Sequence, residues 1–439
     1  YLALGANLGW RREQIHRAIV LLEEKGLTLV NTSHLYESAP MYVTDQPAFL
    51  NACIAMAVPP SMTPAAVLHA AKWCEHAIGR EFATKRWGPR TVDIDLLFWT
   101  TPEATWQLGA DDPSMAPDAF PPGCAENAAG LTLTLPHPRM HERAFVMQPL
   151  ADMVPDMRWD ATRTIGDVAA ALNADAPDAL RRVLVFPSRT QEVVWPHTDA
   201  HTGALPEPRV MGIVNLAPDS FSDGGVYAQS PDTVLRHCRG LRRDGADLLD
   251  FGAVSTRPHA PDVALDEELR RLLPPLWHVR EAMPDALVSV DTCDGRVAAR
   301  CLSRTWPLPD GRCLPGIDLL NDITGGRDVA LLRTVAQAQI PICLMHMRGT
   351  PQTMHAHATY TDVVAEVRCE LDACVARALR EGIYRWNIVV DPGVGFAKTG
   401  AHNRALIARL ADALPPHHYA LLGTSRKGFI GALLAAHRP

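Results

Sequence analysis

Residues 208–225 read PRVMGIVNLAPDSFSDGG, an apolar run that leads into a polar loop containing glycine. The same unit, in which a short apolar run ends in a polar residue and a helical stretch follows, recurs through the second half of the chain. The apolar runs are Val210–Val214, Leu248–Phe251, Leu287–Val290, Leu319–Leu320, Ile342–Met345, Ile388–Val390 and Ala420–Leu422. Apolar runs without alternation are typical of a parallel sheet buried on both faces, and polar groups at the strand ends are typical of a (β/α)8 barrel. The seven runs predict an α/β TIM-barrel domain over 209–439 that lacks its last strand–helix unit.

The first half of the chain mixes strands and helices in a different way. The predicted elements are a strand over Tyr1–Ala6, a helix over Arg12–Lys25, a strand pair over Leu27–Tyr36 and Phe49–Val58, a helix over Pro64–Ile78 and a strand over Thr91–Trp99. Adjacent strands that can pair antiparallel favour an α+β sandwich. We predict this domain over 1–187, with a surface insertion at about 100–130, where Pro, Gly, Ala and Asp accumulate, and an inter-domain linker over 188–208.

The composition is that of a globular protein, with 47% apolar and 21% charged residues among 439. The net charge of −7 comes without blocks of like charge, so neither a nucleic-acid surface nor a membrane surface is indicated. Ten cysteines without a C-x-x-C pair favour reduced thiols in an intracellular protein, cytoplasmic or mitochondrial and not secreted. Of the 42 Lys and Arg residues only five are lysine, which genomic base composition explains most simply. The chain begins inside a strand-like run, as expected of a fragment of a larger protein.

Two carboxylates in the first half point to metal and phosphate chemistry. Asp93 and Asp95 lie two apart in the strand TVDIDLL, so both project from one face, where they suit Mg²⁺ bound together with substrate phosphates. Acid pairs also occur on solvent-facing edge strands. The preceding segment 79–90, GREFATKRWGPR, adds four cations, and arginine side chains match phosphate oxygens in a bidentate way. A solvated basic turn would explain these cations but not the acid pair beside them.

Four motifs resemble 6-hydroxymethyl-7,8-dihydropterin pyrophosphokinase over about residues 1–186, namely GANLG (5–9), FLNA (49–52), RWGPRTVDIDLLF (86–98) and PHPRMHERAF (136–145). The resemblance implies a ferredoxin-like fold and transfer of pyrophosphate from ATP to the pterin hydroxymethyl group. It implies that Asp93 and Asp95 bind two Mg²⁺ and that they act in catalysis together with Arg90. The implied ATP-binding residues are Glu75, Arg80, Trp87, Arg90, His137 and Arg143, and the implied pterin-binding residues are Phe49, Asn51 and Phe145.

This half departs from the family at two positions. Phe82 stands where bacterial members often have Arg, and Phe49 stands where a Tyr stacks on the pterin. Because phosphoryl-type transfer depends mostly on positioning and charge neutralisation, the missing cation is expected to slow the enzyme without abolishing the reaction.

In the second half, polar residues follow the predicted strands. Asn215, Asp291, Asn321 and Asp391 would converge at the carboxyl ends of four strands, and such carboxylates and amides suit a ligand rich in N–H donors, such as an aminopterin ring. Lys427 would lie where barrels commonly bind phosphate. Each residue alone could simply cap the following helix. The repetition over seven strands favours a site.

These motifs resemble dihydropteroate synthase from about Arg209 to the last residue. They are MGIVNLAPDSFSDGG (211–225), STRP (255–258), SVDT (289–292), NDI (321–323), LMHMRGTP (344–351), DPGVGFAK (391–398) and GTSRKGFIG (423–431). The resemblance implies condensation of p-aminobenzoate with the pterin pyrophosphate, and hence competition by sulfonamides. The implied pterin-binding residues are Asp291, Asn321, Asp391 and Lys427, of which Asp391 and Lys427 are also expected to be catalytic. The implied p-aminobenzoate and pyrophosphate residues are Asn215, Thr256, Arg257, Phe396 and Ser425, and Asn215 is the implied Mg²⁺ ligand.

The second half also departs from its family. Gly252-Ala253-Val254 stands where the family usually has two glycines before a variable residue, and the R-x-H of the eighth strand has no counterpart in the sequence. The order of the two resemblances is that of the fused eukaryotic folate enzymes of fungi, plants and apicomplexans, and the start of the chain fits the fungal type. It implies a bifunctional enzyme with small-molecule substrates, no nucleic-acid or membrane partner, and a possible homodimer through the barrel. Two alternatives remain: an enzyme in which only the pyrophosphokinase is active, and a pterin-binding protein without turnover.

Overall fold

The computed structural model describes residues 1–82, 87–109, 111–124, 132–177, 179–187, 192–197, 208–217, 230–255, 262–307 and 313–436. These residues form two compact units. The first contains the described residues up to His197, and the second contains those from Pro208 onwards. No helix among the described residues is long and apolar enough to cross a membrane.

The first unit combines one antiparallel sheet with four helices. Its strands are β1 (Leu2–Ala6), β2 (Thr28–Thr32), β3 (Leu35–Ser38), β4 (Phe49–Ala57), β5 (Asp93–Leu96), β6 (Trp106–Leu108), β7 (Leu133–Leu135), β8 (Leu180–Pro187) and β9 (Glu192–His197). Its helices are α1 (Arg11–Glu24), α2 (Pro64–Ala77), α3 (Ala144–Ala151) and α4 (Ile165–Asp175). The sheet order is β5-β1-β4-β3-β8-β9, with β2 paired to β4. The α+β architecture predicted for this half therefore matches the observed unit.

Strand β5 is the edge of this sheet and carries the acid pair. Ile94 and Leu96 are buried, while Asp93 and Asp95 are only partly buried, so the alternation of the sequence places both carboxylates on the open face. Helix α2 lies beside β5 and begins at a favourable cap, because the Thr63 side chain accepts a hydrogen bond from the Ala66 N–H and Pro64 occupies the first turn.

Three details of the first unit differ from the sequence prediction. The strand expected over Leu27–Tyr36 is two strands, β2 and β3, and both pair with β4, with a register shift between Leu29 and Asn31. Part of the segment predicted as linker is strand β9, which extends the sheet by pairing with β8. The predicted insertion contains a small hairpin, β6 with β7. Periodicity alone did not reveal these strands, because they are short and carry no clear alternation of apolar and polar residues.

The second unit is built on a parallel sheet. Its strands are β10 (Met211–Asn215), β11 (Leu248–Gly252), β12 (Leu287–Asp291), β13 (Thr305–Pro307), β14 (Cys313–Pro315), β15 (Leu319–Asp322), β16 (Ile342–Met345), β17 (Ile388–Asp391) and β18 (Tyr419–Ala420). Its helices are α5 (Pro231–Arg243), α6 (Leu265–Ala282), α7 (Gly295–Ser303), α8 (Val329–Ala338), α9 (Val363–Arg380), α10 (Gly400–Ala408), α11 (Leu410–Ala413) and α12 (Gly428–Ala436).

The seven predicted strands appear in chain order in one parallel sheet, β10-β11-β12-β15-β16-β17-β18. Their buried apolar side chains pack against the helices in a single core that includes Val214, Phe251 and Leu344. The register places the polar strand ends side by side, since Asn215 pairs with Gly252 and Gly252 with Asp291. A short hairpin of β13 with β14, which the sequence did not predict, lies between α7 and β15.

Candidate active sites

One cavity of the first unit gathers most of the residues that its motifs single out. Eight of the predicted site residues line it: Phe49, Asn51, Trp87, Arg90, Asp93, Asp95, Arg143 and Phe145. The acid pair, two arginines and two phenylalanines therefore lie around one space. Such a space can hold an aromatic ring at one end and phosphate groups at the other.

Asn51 is fixed in one orientation. Its Nδ2 donates to Ser38 Oγ at 3.0 Å and to the Tyr36 carbonyl at 3.2 Å, and the side chain is buried. With its donors engaged, the amide oxygen is the group left for a ligand. A Cβ added to Gly5 would lie 3.4 Å from this oxygen, an ordinary contact distance, so space alone does not require the glycine of the GANLG motif.

Asp93 is held by two arginines. Arg90 Nη1 binds one carboxylate oxygen at 2.7 Å, and Arg80 Nη1 forms a second ion pair with the other oxygen. Burial opposes ionisation of Asp93, but the guanidinium groups of Arg80 and Arg90 outweigh it and hold the pKa of this carboxyl well below its usual range. Among the described residues no ion pair involves Asp95, so its carboxylate is the freer of the two.

Asn7 of the GANLG motif fixes the backbone of Arg90, although no role was predicted for its side chain. Its Oδ1 accepts the Arg90 N–H at 2.8 Å, and the Asn7 N–H donates to the Arg90 carbonyl at 3.1 Å. Its Nδ2 donates to Gln46 Oε1 and to the Pro47 carbonyl, both at 3.0 Å. The position of Asn7 in a motif before a predicted helix was the available signal.

Trp87 lies over the cavity and is stacked on Tyr42, with ring centroids 4.5 Å apart. The Tyr42 hydroxyl accepts a hydrogen bond from Arg139 Nη2 at 2.6 Å. Trp87 adopts a left-handed backbone conformation with φ of 62°, unusual for a residue with a side chain. Tyr42 and Arg139 were not singled out in the sequence.

Glu75, Arg80 and His137 lie outside the cavity lining, although each is close to the acid pair. Arg80 reaches the site through its ion pair with Asp93. His137 donates its N–H to the Leu97 carbonyl at 2.6 Å, and burial lowers its pKa against the attraction of Asp95. Glu75 is fully buried under the strand.

The donor set of this site fits Mg²⁺ shared with a phosphate ligand. No group of three or more His, Cys, Asp or Glu able to bind a metal occurs among the described residues. Asp93 and Asp95, two carboxylates on one strand, are the residues that would bind the metal, since Mg²⁺ is commonly bound by one or two carboxylates together with phosphates and water.

The second unit brings together the residues at the ends of β11, β12, β15 and β17. Asn321 Nδ2 donates to Asp250 Oδ2 at 3.1 Å. Burial, followed by the charges of Asp250 and Asp322, raises the pKa of Asp291 well above its usual value. Asp291 pairs with Asn321 and Met345 with Asp391, so these residues lie at the carboxyl end of the parallel sheet. Burial and the surrounding carboxylates, Asp391 among them, raise the pKa of the Cys343 thiol on β16.

Asp391 and Lys427 lie on the other side of this site. Asp391 is buried and accepts the Gly393 N–H at 2.7 Å; burial raises its pKa to about 6, against the lowering effects of Gly393, Lys398 and Lys427. The ammonium of Lys427 lies 4.4 Å from the ring centroid of Phe396. The structure thus places three of the predicted residues, Asp391, Phe396 and Lys427, next to one another.

A buried network lies behind this group and was missed by sequence reasoning. Lys398 Nζ donates to His346 Nδ1 and to the Phe396 carbonyl, both at 2.9 Å. His346 Nε2 lies 3.0 Å from Glu370 Oε2, and Arg348 binds the other oxygen of the same carboxylate, Oε1. Burial lowers the pKa of Lys398 to about 7. The available signal was the rarity of lysine in the chain.

The remaining predicted residues of the second half are less constrained. Asn215 is half-buried at the end of β10, and Ser425 is exposed. Thr256 and Arg257 lie outside the described residues, as do 218–229 of the loop quoted first.

Comparisons with known proteins match both halves. The chain matches the family model of 7,8-dihydro-6-hydroxymethylpterin-pyrophosphokinase over residues 1–155 and that of pterin binding enzymes over 211–439. It is 34% identical to the folic acid synthesis protein fol1 of Schizosaccharomyces pombe, over 98% of this chain and 52% of that protein. It is 33% identical to a folate synthesis bifunctional protein of Arabidopsis thaliana, over 98% of this chain and 85% of that protein. The chain thus spans about half the length of the fungal relatives.

Solved structures agree at the level of fold. A structure described as HPPK-DHPS in complex with substrates superposes with a TM-score of 0.76 at 18% identity, covering 100% of this chain and 90% of that one. The Plasmodium falciparum HPPK-DHPS with pteroate gives a TM-score of 0.75 at 18% identity, with 99% and 86% coverage. The resemblance inferred from the motifs is confirmed: the chain belongs to the family of bifunctional folate-synthesis proteins, with a hydroxymethylpterin-pyrophosphokinase unit followed by a pterin-binding enzyme unit.

Proposed function

We propose that this chain catalyses two consecutive steps of folate synthesis. In the first, pyrophosphate passes from ATP to 6-hydroxymethyl-7,8-dihydropterin; in the second, the product condenses with p-aminobenzoate to 7,8-dihydropteroate. The observation that carries the first step is the single cavity in which Asn51 and Phe145 face the acid pair Asp93 and Asp95. The family membership of the second unit supports the second step.

In the first step the pterin hydroxyl oxygen attacks the β-phosphorus of ATP. The bond from that phosphorus to the oxygen bridging to the α-phosphate breaks, AMP leaves with that oxygen, and the hydroxyl proton passes to solvent. Asn51 and the phenylalanines orient the pterin, and Arg90 and Arg143 neutralise phosphate charge. Mg²⁺, when held by Asp93 and Asp95, supplies further charge neutralisation on the phosphates.

In the second step the bond between the pterin methylene carbon and the pyrophosphate oxygen breaks, and pyrophosphate leaves with the electron pair. The amine nitrogen of p-aminobenzoate then bonds to that carbon and loses a proton. Asp291 and Asp391 lie at the same end of the sheet, and the Asp391 carboxylate can stabilise the electron-deficient pterin, which is electrostatic catalysis. Lys427, beside Phe396, is the cation proposed to bind the pterin and the departing anion.

We further propose that the seven-stranded parallel sheet is the larger part of a (β/α)8 barrel and that the first unit is ferredoxin-like. We propose a homodimer through the second unit, because synthase barrels of this family are usually dimeric; sedimentation equilibrium tests this assembly. An intracellular location, in the cytoplasm or mitochondrion, is also proposed, and two plant relatives are named as mitochondrial.

The test supplies hydroxymethyldihydropterin, ATP, Mg²⁺ and p-aminobenzoate and measures AMP and dihydropteroate separately. We expect both products, and we expect sulfonamides to suppress dihydropteroate but not AMP. AMP without dihydropteroate, also when the pterin pyrophosphate is supplied directly, would mean that only the first unit is active. Neither product would leave a pterin-binding protein without turnover.

A further inference from the structure

Two charged residues of α2 form hydrogen bonds to the outer edge of β5, the strand that carries the acid pair. Among the described residues β5 pairs only with β1, so no strand of that part of the chain covers its other edge. On that edge the Ile94 N–H donates to Glu75 Oε1 at 2.7 Å, and the Ile94 carbonyl accepts from Lys72 Nζ at 3.1 Å. Both polar backbone groups of the residue between Asp93 and Asp95 are thus bound by side chains of one helix.

Lys72 and Glu75 also bind each other. Lys72 Nζ lies 2.7 Å from Glu75 Oε1, at the spacing of three residues that brings side chains together on one helical face. The second oxygen of Glu75 lies 2.8 Å from Arg80 Nη1, and Arg80 in turn pairs with Asp93. The carboxylate of Glu75 is fully buried. Its Oε1 is bound by Lys72 and the Ile94 N–H, whereas its Oε2, although close to Arg80, accepts no hydrogen bond among the described residues.

The charges of this group are balanced. Three cations, Lys72, Arg80 and Arg90, are interleaved with three acids, Glu75, Asp93 and Asp95. Removing one member of a buried pair leaves an uncompensated charge, so the members hold one another in place. The choice of lysine at position 72 fits the geometry, because a compact ammonium can donate to two acceptors between a helix and a strand. The chain otherwise uses arginine almost throughout, with only five lysines among its 42 cationic residues.

We propose that Lys72 and Glu75 are a positioning pair that fixes Ile94 and, through it, holds the carboxylates of Asp93 and Asp95 at the spacing needed to bind divalent metal with a nucleotide. They act on the strand and do not contact the nucleotide. This inference rests on the proposed pyrophosphoryl transfer for its biological meaning, but its geometry and its test do not depend on turnover.

The test measures binding of Mn²⁺, a spectroscopic substitute for Mg²⁺, to the full chain in the presence of α,β-methylene-ATP. The variants are Lys72→Met, Glu75→Gln and the double variant, with Lys25→Met on the exposed end of α1 as the matched control. We expect Mn²⁺ binding to weaken at least tenfold in Lys72→Met and less in Glu75→Gln, because Gln keeps an oxygen for the Ile94 N–H. The double variant should bind Mn²⁺ about as weakly as the single variant with the larger loss, because the two residues act as a unit. The control should match the unaltered chain.

Two further measurements distinguish a positioning role from direct contact with the nucleotide. Affinity for the nucleotide without metal should change less than twofold, and affinity for the pterin should be unaltered, which also reports that the variants are folded. An equal loss of metal-free nucleotide affinity would overturn the inference in favour of direct contact. Unchanged Mn²⁺ affinity in both single variants, or no Mn²⁺ binding to the unaltered chain, would also overturn it. If the chain forms no AMP while the Mn²⁺ differences hold, the proposed function fails and the positioning role stands.

Discussion

Two aspartates that are equivalent in sequence have different surroundings in the structure. Asp93 is bound by Arg80 and Arg90, whereas Asp95 faces the same cavity with no ion pair among the described residues. The arginines hold the pKa of Asp93 low after overcoming its burial, so its carboxylate is ionised at any physiological pH. Asp95 is therefore the residue whose loss removes a carboxylate from the proposed metal site without also releasing two arginines.

We predict that Asp95→Ala abolishes ATP-dependent pterin pyrophosphorylation, with the rate of AMP formation falling at least ~100-fold because charge neutralisation is the main catalytic term in this kind of transfer. The measurement is AMP production at saturating ATP. Asp156→Ala, at an exposed aspartate of the same unit, is the control and should keep the full rate. Near-normal turnover by Asp95→Ala would refute the metal assignment.

At the second site, the ionisation of Asp391 predicts an acid limit for dihydropteroate synthesis. Burial raises its pKa to about 6, while the Gly393 N–H, Lys398 and Lys427 favour the carboxylate. Only the carboxylate can accept N–H groups of a pterin at both oxygens. The value of kcat/KM for the pterin pyrophosphate should therefore fall as the pH drops through 6, about tenfold for each further unit. An Asp391→Asn variant should be slower, and its kcat/KM should not show this fall at acid pH. If the fall remains in the variant, another group is responsible for it.

Many residues of the two proposed sites could be predicted from the type of each residue and its place in the sequence. Motif residues such as Asp93 and Asp391 stand at strand ends or in a D-x-D pair, where the chemistry of the residue type indicates its use. The positioning residues could not be found in that way. Asn7 and Lys72 act on backbone groups that the fold brings close, and a sequence does not show which backbone groups lack a partner.

Among the elements, those with a strong apolar pattern were predicted well and those without one were not. The seven apolar runs of the second half correspond to the seven strands of the parallel sheet that the described residues form, because burial on both faces requires continuous apolar residues. Strand β9 and the hairpin of β13 with β14 pair with close neighbours in sequence, but they are short and carry no continuous apolar run.

The turn after β17 gives a prediction at the scale of an element. Gly395 has φ of 86°, and a Cβ there would come within 2.9 Å of Lys427 Cδ and 3.1 Å of its Nζ. Gly395→Ala should therefore strain the turn and displace Lys427. We expect KM for the pterin pyrophosphate to rise about tenfold or more, with AMP formation unaffected.

The control for this change is Gly240→Ala on α5, where an added Cβ would meet only the end of the flexible Arg243 side chain, at 4.0 Å. This variant should leave both reactions unaltered and add a little stability, because Ala favours a helix more than Gly. If Gly395→Ala keeps the normal KM, the close approach of this turn to Lys427 has no part in binding.

For the molecule as a whole, the described residues place each site within a single unit. The cavity around Asp95 is lined only by residues of the first unit, and the group around Lys427 belongs only to the second. Each unit also has its own apolar core. Inactivation of one site should therefore leave the chemistry of the other intact, although the product of the first is the proposed substrate of the second.

This independence predicts complementation between two inactive variants. Asp95→Ala should still make dihydropteroate from supplied pterin pyrophosphate, and Lys427→Met should still release AMP from ATP. Neither should make dihydropteroate from hydroxymethyldihydropterin, yet a mixture should do so after a lag, because the intermediate can leave one molecule and enter another. The lag should shorten as the concentration of Lys427→Met rises, since that variant supplies the intermediate. AMP formation without dihydropteroate in the mixture, with both single activities intact, would show that the intermediate does not pass through solution.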